Sequence, residues 1–252
     1  MGLTLSYRDG PPELPVSAKA EPPPPEPGFF SRIPGSFLYP FRHGGLGRWI
    51  MGSIVVCIGF VAGSMMGGQS LMLNGPLLGY LAMFLIDIAN ASGDGHDEMP
   101  GWPGFNMELV SEFIMLNLTF LLSFLPVVVY GWAIVFKGAP VDYLIFALYA
   151  SWFFLPMALI RVCMLQSLEG VKPIPVLQSI YRVLTPYMGL CLILTFLQFL
   201  QGALFAVCDL VPYAGVFLRS LVLFYFLILQ MRLFGIFYHT YRRTLGWFDG
   251  IA

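Results

Sequence analysis

The chain has 252 residues, of which 58% are hydrophobic and 11% charged, and its mean hydropathy is +0.77. A soluble domain carries about 25% charged residues, so the composition excludes a soluble domain and reads as an all-α, polytopic integral membrane helical bundle. The formal net charge of −1 gives no electrostatic basis for binding nucleic acid.

Residues 1–34 differ from the rest. They hold nine of the 20 prolines, including Pro22 to Pro25, with Asp9, Glu13, Glu21 and Glu26 set against Arg8 and Lys19. Such a segment cannot bury a core and is expected to be a disordered or extended, polyproline-like cytoplasmic tail. It lacks the apolar centre of a signal peptide, so targeting falls to the first membrane helix. The membrane domain is expected to fill 35–252.

Six segments reach or approach the roughly 20 apolar residues that a bilayer requires. They lie near 47–67, 71–90, 107–136, 141–165, 186–208 and 212–236. The second is interrupted by Asn74, Gly75 and Pro76 and carries Asp87, so a re-entrant segment is the alternative to a span there. Charge decides between them, because Lys and Arg in short loops collect on the cytoplasmic side. Eleven of the 13 basic residues cluster before the first segment, after the fourth and at the C-terminal end. Only an even number of crossings between clusters puts all three on one side, which requires six spans with both termini cytoplasmic. Lys137 and Arg219 then fall on the outer side, with Asp209 as the nearest candidate partner for Arg219. Trp49, Tyr80, Trp102, Tyr143, Tyr187, Tyr213 and Trp247 sit near span ends, where amphipathic rings prefer the interface.

The second segment runs into a polar loop over 91–106, containing Asp94-Gly95-His96-Asp97-Glu98 followed by Met99-Pro100-Gly101-Trp102-Pro103. Asp94, His96, Asp97 and Glu98 are hard-oxygen and imidazole groups of the kind that bind divalent cations, but they lack the spacing of a calcium loop. They are weak metal candidates, and no metal or other cofactor is expected. His43 and His239 join His96 only if their loops converge. Charged residues at span ends need partners or water, and Asp87, Glu108 and Glu112 are placed to pair with Arg161 or Arg232 as clamps between helices. Glu108 and Glu112, four apart, share a helical face.

Pro126 and Pro156 lie near the middles of the third and fourth segments, both in a Phe-Leu-Pro setting, and paired broken helices can mark a transport site. Gly59 and Gly63 in the first segment have the spacing that lets membrane helices approach closely. Over 173–187, Val176, Ile180, Val183 and Leu184 share a face while Gln178, Ser179 and Arg182 fall elsewhere. That pattern fits either an interfacial helix or an extension of the fifth span. Cys57, Cys163, Cys191 and Cys208 have no paired spacing and read as apolar packing residues. No nucleophile triad, metalloprotease helix or phosphate loop is present, so the chain is not expected to be an enzyme.

Four motifs carry a resemblance. They are Ser36-Phe37-Leu38-Tyr39-Pro40-Phe41-Arg42, Gly79-Tyr80, the Gly95 to Trp102 loop with its Pro-x-Trp element, and Arg242-Arg243-Thr244-Leu245-Gly246-Trp247. Over about Ser36 to Trp247 the chain resembles the bacterial polytopic membrane family called domain of unknown function 4013. In that family the tryptophan is typically followed by acidic residues, whereas here Pro103 and Gly104 follow. The resemblance implies six spans in a bacterial inner membrane and carries no activity. Tyr39, Pro40, Arg42, Pro100 and Trp102 are the interaction or structural residues it singles out, beside the charged Glu108, Glu112, Arg161 and Arg232.

Two functions follow as expectations. One is a non-catalytic membrane subunit or scaffold, whose partners are membrane lipid and other membrane protein subunits or a second copy. The other is a small transporter or channel built on the proline-broken third and fourth helices.

Overall fold

A computed structural model describes residues 28–42, 44–66, 70–104, 108–211 and 214–247. Among them the chain is helical and contains no strand. The helices are α1 Phe29–Phe37, α2 Gly45–Met66, α3 Ser70–Gly93, α4 Glu108–Ser123, α5 Leu125–Lys137, α6 Leu144–Leu165, α7 Pro173–Arg182, α8 Leu184–Cys208 and α9 Gly215–Leu245. Five are long and apolar enough to cross a membrane, and α4 with α5, bent by 52° at their junction, makes a sixth if the pair is one span. Most of the expected tail, and His43, lie outside the described residues.

The elements differ from the sequence reading where tertiary packing intervenes. Residues 29–34, placed in the tail, belong to α1, because Phe29 is buried with its ring edge-on to Phe237 at 5.4 Å. The second segment is one 24-residue helix with Pro76 inside it, long enough to span. The sixth runs on to Leu245 and carries Arg232 and His239 within it. Over 173–187 the chain forms α7, ending at Arg182, and Val183 separates it from α8.

The two Phe-Leu-Pro prolines behave differently. Pro126 sits in the first turn of α5, where a missing N–H costs nothing, and the third span breaks at Phe124. Pro156 lies inside an unbroken α6. Its neighbourhood is repaired by Tyr187 of α8, whose hydroxyl donates to the Phe153 carbonyl and accepts from the Met157 N–H at 3.3 Å. Tyr187, read as an interface anchor, is 0% exposed and inserted into the α6 hydrogen-bond ladder. Removing that hydroxyl strands one donor and one acceptor in a dry interior. Tyr187→Phe is therefore expected to cost about 1–3 kcal/mol, read as a lower unfolding midpoint in detergent, whereas Tyr181→Phe, at an exposed position, leaves the midpoint unchanged.

Contacts sort the joints into two ends. At one end α1 packs on α9 through Phe29 and Phe237, Arg182 of α7 donates to the Leu245 carbonyl at 2.7 Å, and the Trp247 indole donates to Ser179 Oγ at 3.0 Å. The loop after α3 joins the same end, where His239 Nδ1 lies 2.9 Å from the Gly93 carbonyl. At the other end Arg219 pairs with Asp209 at 3.0 Å and lies over the Phe205 ring. This arrangement requires an even number of crossings between the first set of joints.

α9 is the centre of the bundle, packed against α1, α2, α3 and α8. Where it crosses α3, a Cβ at Gly235 would stand 2.3 Å from the Ala89 carbonyl oxygen and 2.3 Å from Ser92 Cβ. The two backbones meet there because no side chain intervenes, the close packing that drives association of apolar helices within lipid.

Candidate functional site: a loop folded back into the bundle

The α3–α9 crossing fixes the site. Beside it, Ser92 stands in the last turn of α3 and Arg232 projects from α9 one turn before Gly235. Arg232 donates to Ser92 Oγ at 3.0 Å, to the His96 carbonyl and to Asp97 Oδ1. Its side chain is 8% exposed while that of Asp97 is 81% exposed, so the arginine is the buried member and the aspartate reaches in from the rim. The guanidinium also lies 4.6 Å from the Tyr39 ring centre. Burial pushes the Tyr39 phenol above its ordinary value, against the opposing pull of Arg232 and Arg48. It therefore stays protonated and donates to the Glu98 carbonyl at 3.2 Å.

From Glu98 the chain turns down into the bundle. Arg48 of α2 donates to the Met99 carbonyl, and the Tyr80 hydroxyl of α3 donates to the Pro103 carbonyl at 3.1 Å. Trp102 stacks on Phe84 with ring centres 4.1 Å apart, and is parallel to Tyr80 at 5.4 Å and to Phe224 at 6.4 Å. Phe84 and Phe224 each lie eight residues before Ser92 and Arg232 on their helices. At 1.5 Å per residue the indole is therefore about 12 Å deeper than the arginine. Phe84 is also the middle residue of the Gly75–Gly93 span.

Irregular backbone at such depth needs its polar groups satisfied by protein or water. Four loop carbonyls, those of His96, Glu98, Met99 and Pro103, receive side-chain donors from four different parts of the fold. Pro100 and Pro103 carry no N–H to satisfy. The Pro-x-Trp element is thus suited to its place: prolines remove donors and the tryptophan supplies apolar contact. Gly95 admits the turn into the loop, with φ of +89° and a missing Cβ that would lie 2.8 Å from His239 Cε1.

Several expected pairings are replaced. Arg232 clamps the loop through Asp97 rather than a helix through Asp87, Glu108 or Glu112, because the folded-back loop brings an acid nearer than any helix does. Asp87 enters no ion pair among the described residues. Glu112 is half-buried on α4, and the Glu108 side chain lies outside the described residues. Arg161 stands 5.8 Å from the Trp247 ring centre, and its Nε and Nη1 find no acceptor among the described residues. Trp102, taken as an interface ring, is a packing residue inside the bundle.

Of the residues singled out separately in the sequence, Tyr39, Arg232 and Asp97 meet in one cluster with Trp102 deeper on the same loop, and Pro40 is buried beside it. Arg42 remains exposed at its rim. Asp94, His96, Asp97 and Glu98 do not converge on a point. Among the described residues no group of three or more His, Cys, Asp or Glu side chains is arranged to hold a metal ion. The roles of Arg48 and Ser92 were not anticipated, since nothing local distinguishes them from ordinary flanking residues, and Tyr80, read as a motif and span-end ring, was not foreseen as a donor to the loop.

Gly59 and Gly63, with the spacing for close helix approach, border open space in the structure. They line a cleft of 640 Å³ among α2, α3, α4 and α9, whose polar lining residues are Ser64 and Asn117. No family model, no curated protein and no solved structure matches the chain.

Proposed function

We propose that the protein is a non-catalytic integral membrane subunit whose folded-back loop is completed by another membrane protein subunit or a second copy. One observation carries this reading. Gly101 and Gly104 are exposed on either side of an indole at mid-span depth, and exposed irregular backbone is tolerated there only against protein or in a water-filled cavity. The apolar surroundings favour protein. The loop packs on Phe84 and Phe224, and the adjacent cleft offers the two polar residues Ser64 and Asn117.

The transporter reading keeps one supporting feature, the bend at Phe124. Against it stands the fourth span, continuous through Pro156 and buried from Leu155 to Ile160. The basic residues near the loop end, including Arg32, Arg42, Arg48, Lys172, Arg182, Arg242 and Arg243, support a cytoplasmic placement of that end and of both termini. The family resemblance supports a bacterial inner membrane.

Extraction of the full chain from its native membrane in mild detergent tests the proposal. The expected result is a stoichiometric membrane partner, lost from a Gly101→Trp variant that remains inserted and melts like the parent. Recovery of a lone monomer from both forms contradicts it.

A further inference from the structure

A second cavity, of 490 Å³, opens at the polar end between α1, the turn over Tyr39–Phe41, the loop and α9. Its charged groups come from three sides. Arg32 belongs to α1 and Arg42 follows the turn, Asp94 and Asp97 come from the loop, and Arg232 and His239 come from α9. The α9 groups are committed. Arg232 commits Nη1 to Ser92 and His96 and Nη2 to Asp97, its Nε being buried without an acceptor among the described residues, and His239 Nδ1 faces the Gly93 carbonyl at 2.9 Å. Arg42 and Asp94 are exposed, and among the described residues neither enters an ion pair. The outer oxygen of the largely exposed Asp97 adds to the acidic side.

A purely anionic ligand would meet the loop carboxylates, and a purely cationic one would meet the arginines. A compact group bearing a phosphate and a primary ammonium satisfies both. Guanidinium groups bind phosphate oxygens in paired geometry, and an ammonium supplies three donors for the carboxylates. A quaternary ammonium has no such donors and binds on open aromatic faces, whereas the Tyr39 ring lining this cavity is already covered by Arg232 at 4.6 Å. The cavity lies beside Gly93, where the α3 span ends, the level of lipid headgroups.

We propose that this cavity binds an ethanolamine phosphate group, with Arg42 on the phosphate and Asp94 on the ammonium. The source is either phosphatidylethanolamine or the free phosphomonoester. This site is independent of the partner surface at Gly101.

Native mass spectrometry of the full chain in detergent, with phosphatidylethanolamine, phosphatidylcholine and phosphatidylglycerol supplied in equal amounts, tests it. The ethanolamine lipid is expected to be retained about tenfold over each of the others, a margin of one order in affinity. R42Q and D94N are each expected to abolish that preference while melting like the parent, since both side chains are exposed. Equal retention of the three lipids, preference for the glycerol lipid, or an undiminished preference in both variants overturns the proposal. Displacement of the lipid by millimolar ethanolamine phosphate supports the site with a soluble source. Selective retention without displacement supports it with the membrane as the source.

Discussion

Gly235→Val is expected to lower stability by about 4 kcal/mol or more, at the far end of what single substitutions do. The added Cβ would lie 2.3 Å from the Ala89 carbonyl oxygen and 2.3 Å from Ser92 Cβ, with the Gly93 nitrogen at 2.9 Å. Two of these three contacts are backbone atoms of α3, which no rotamer change can move aside. The helices must separate, and because Ser92 and Arg232 flank the crossing, the clamp on Asp97 opens with them. A folded protein interior resists such overpacking by shifting backbone rather than compressing. The control is Gly202→Ala on α8, where a Cβ meets nothing within 4 Å and helix propensity favours alanine. It is expected to be neutral or slightly stabilising. Unfolding midpoints of the two variants in one detergent check both statements.

Trp102→Ala is expected to cost about 3 kcal/mol, the lower part of the range for truncating a large packed aromatic, because the indole is only half-buried. It forfeits the stack on Phe84 at 4.1 Å and the parallel contacts with Tyr80 and Phe224. Its consequence is local as well as global. With the indole gone, the four donors holding the loop carbonyls work against a backbone that no longer has an apolar reason to lie at that depth. Protease cleavage between Asp94 and Gly104 is expected to rise sharply in Trp102→Ala and little in Trp102→Phe, which keeps an aromatic face for Phe84. Equal protease resistance in all three forms would show that the indole does not hold the loop.

The spans were legible in the sequence because a run of about 20 apolar residues has one stable solution in a bilayer, and the charge clusters set their parity. The separation of α7 from α8 was likewise readable as one of two alternatives, from the face that Val176 and Ile180 share. What escaped was whatever depends on distant residues. Phe124-Leu125-Pro126 and Phe154-Leu155-Pro156 are the same local sequence, yet one breaks its helix and the other does not, because Tyr187 reaches only the second. Pairing by depth offered Asp87, Glu108 and Glu112 as partners for Arg161 or Arg232. The observed partner, Asp97, belongs to a loop whose return path leaves no periodic trace. The Pro-x-Trp element was visible as a motif, but its use was not, since the donors that make a buried loop tolerable, Tyr39, Arg48, Tyr80 and Arg232, are spread over nearly 200 residues.

A loop at mid-span depth whose outer face is covered by protein shields position 101 from both water and lipid. A nitroxide attached through Gly101→Cys, in a chain whose Cys57, Cys163, Cys191 and Cys208 are replaced by alanine, tests it in native membranes by collision with a water-soluble nickel chelate and with lipid-dissolved oxygen. Labels at Asp94, an exposed loop position, and at Ile114, which is 53% exposed on α4, serve as the aqueous and lipid references. The label at position 101 is expected to be shielded from both agents until a harsh detergent strips the partner. Chelate access equal to that at position 94 would place the loop in water, and oxygen access equal to that at position 114 would place it in bare lipid. Either result contradicts a loop at mid-span depth under a protein cover.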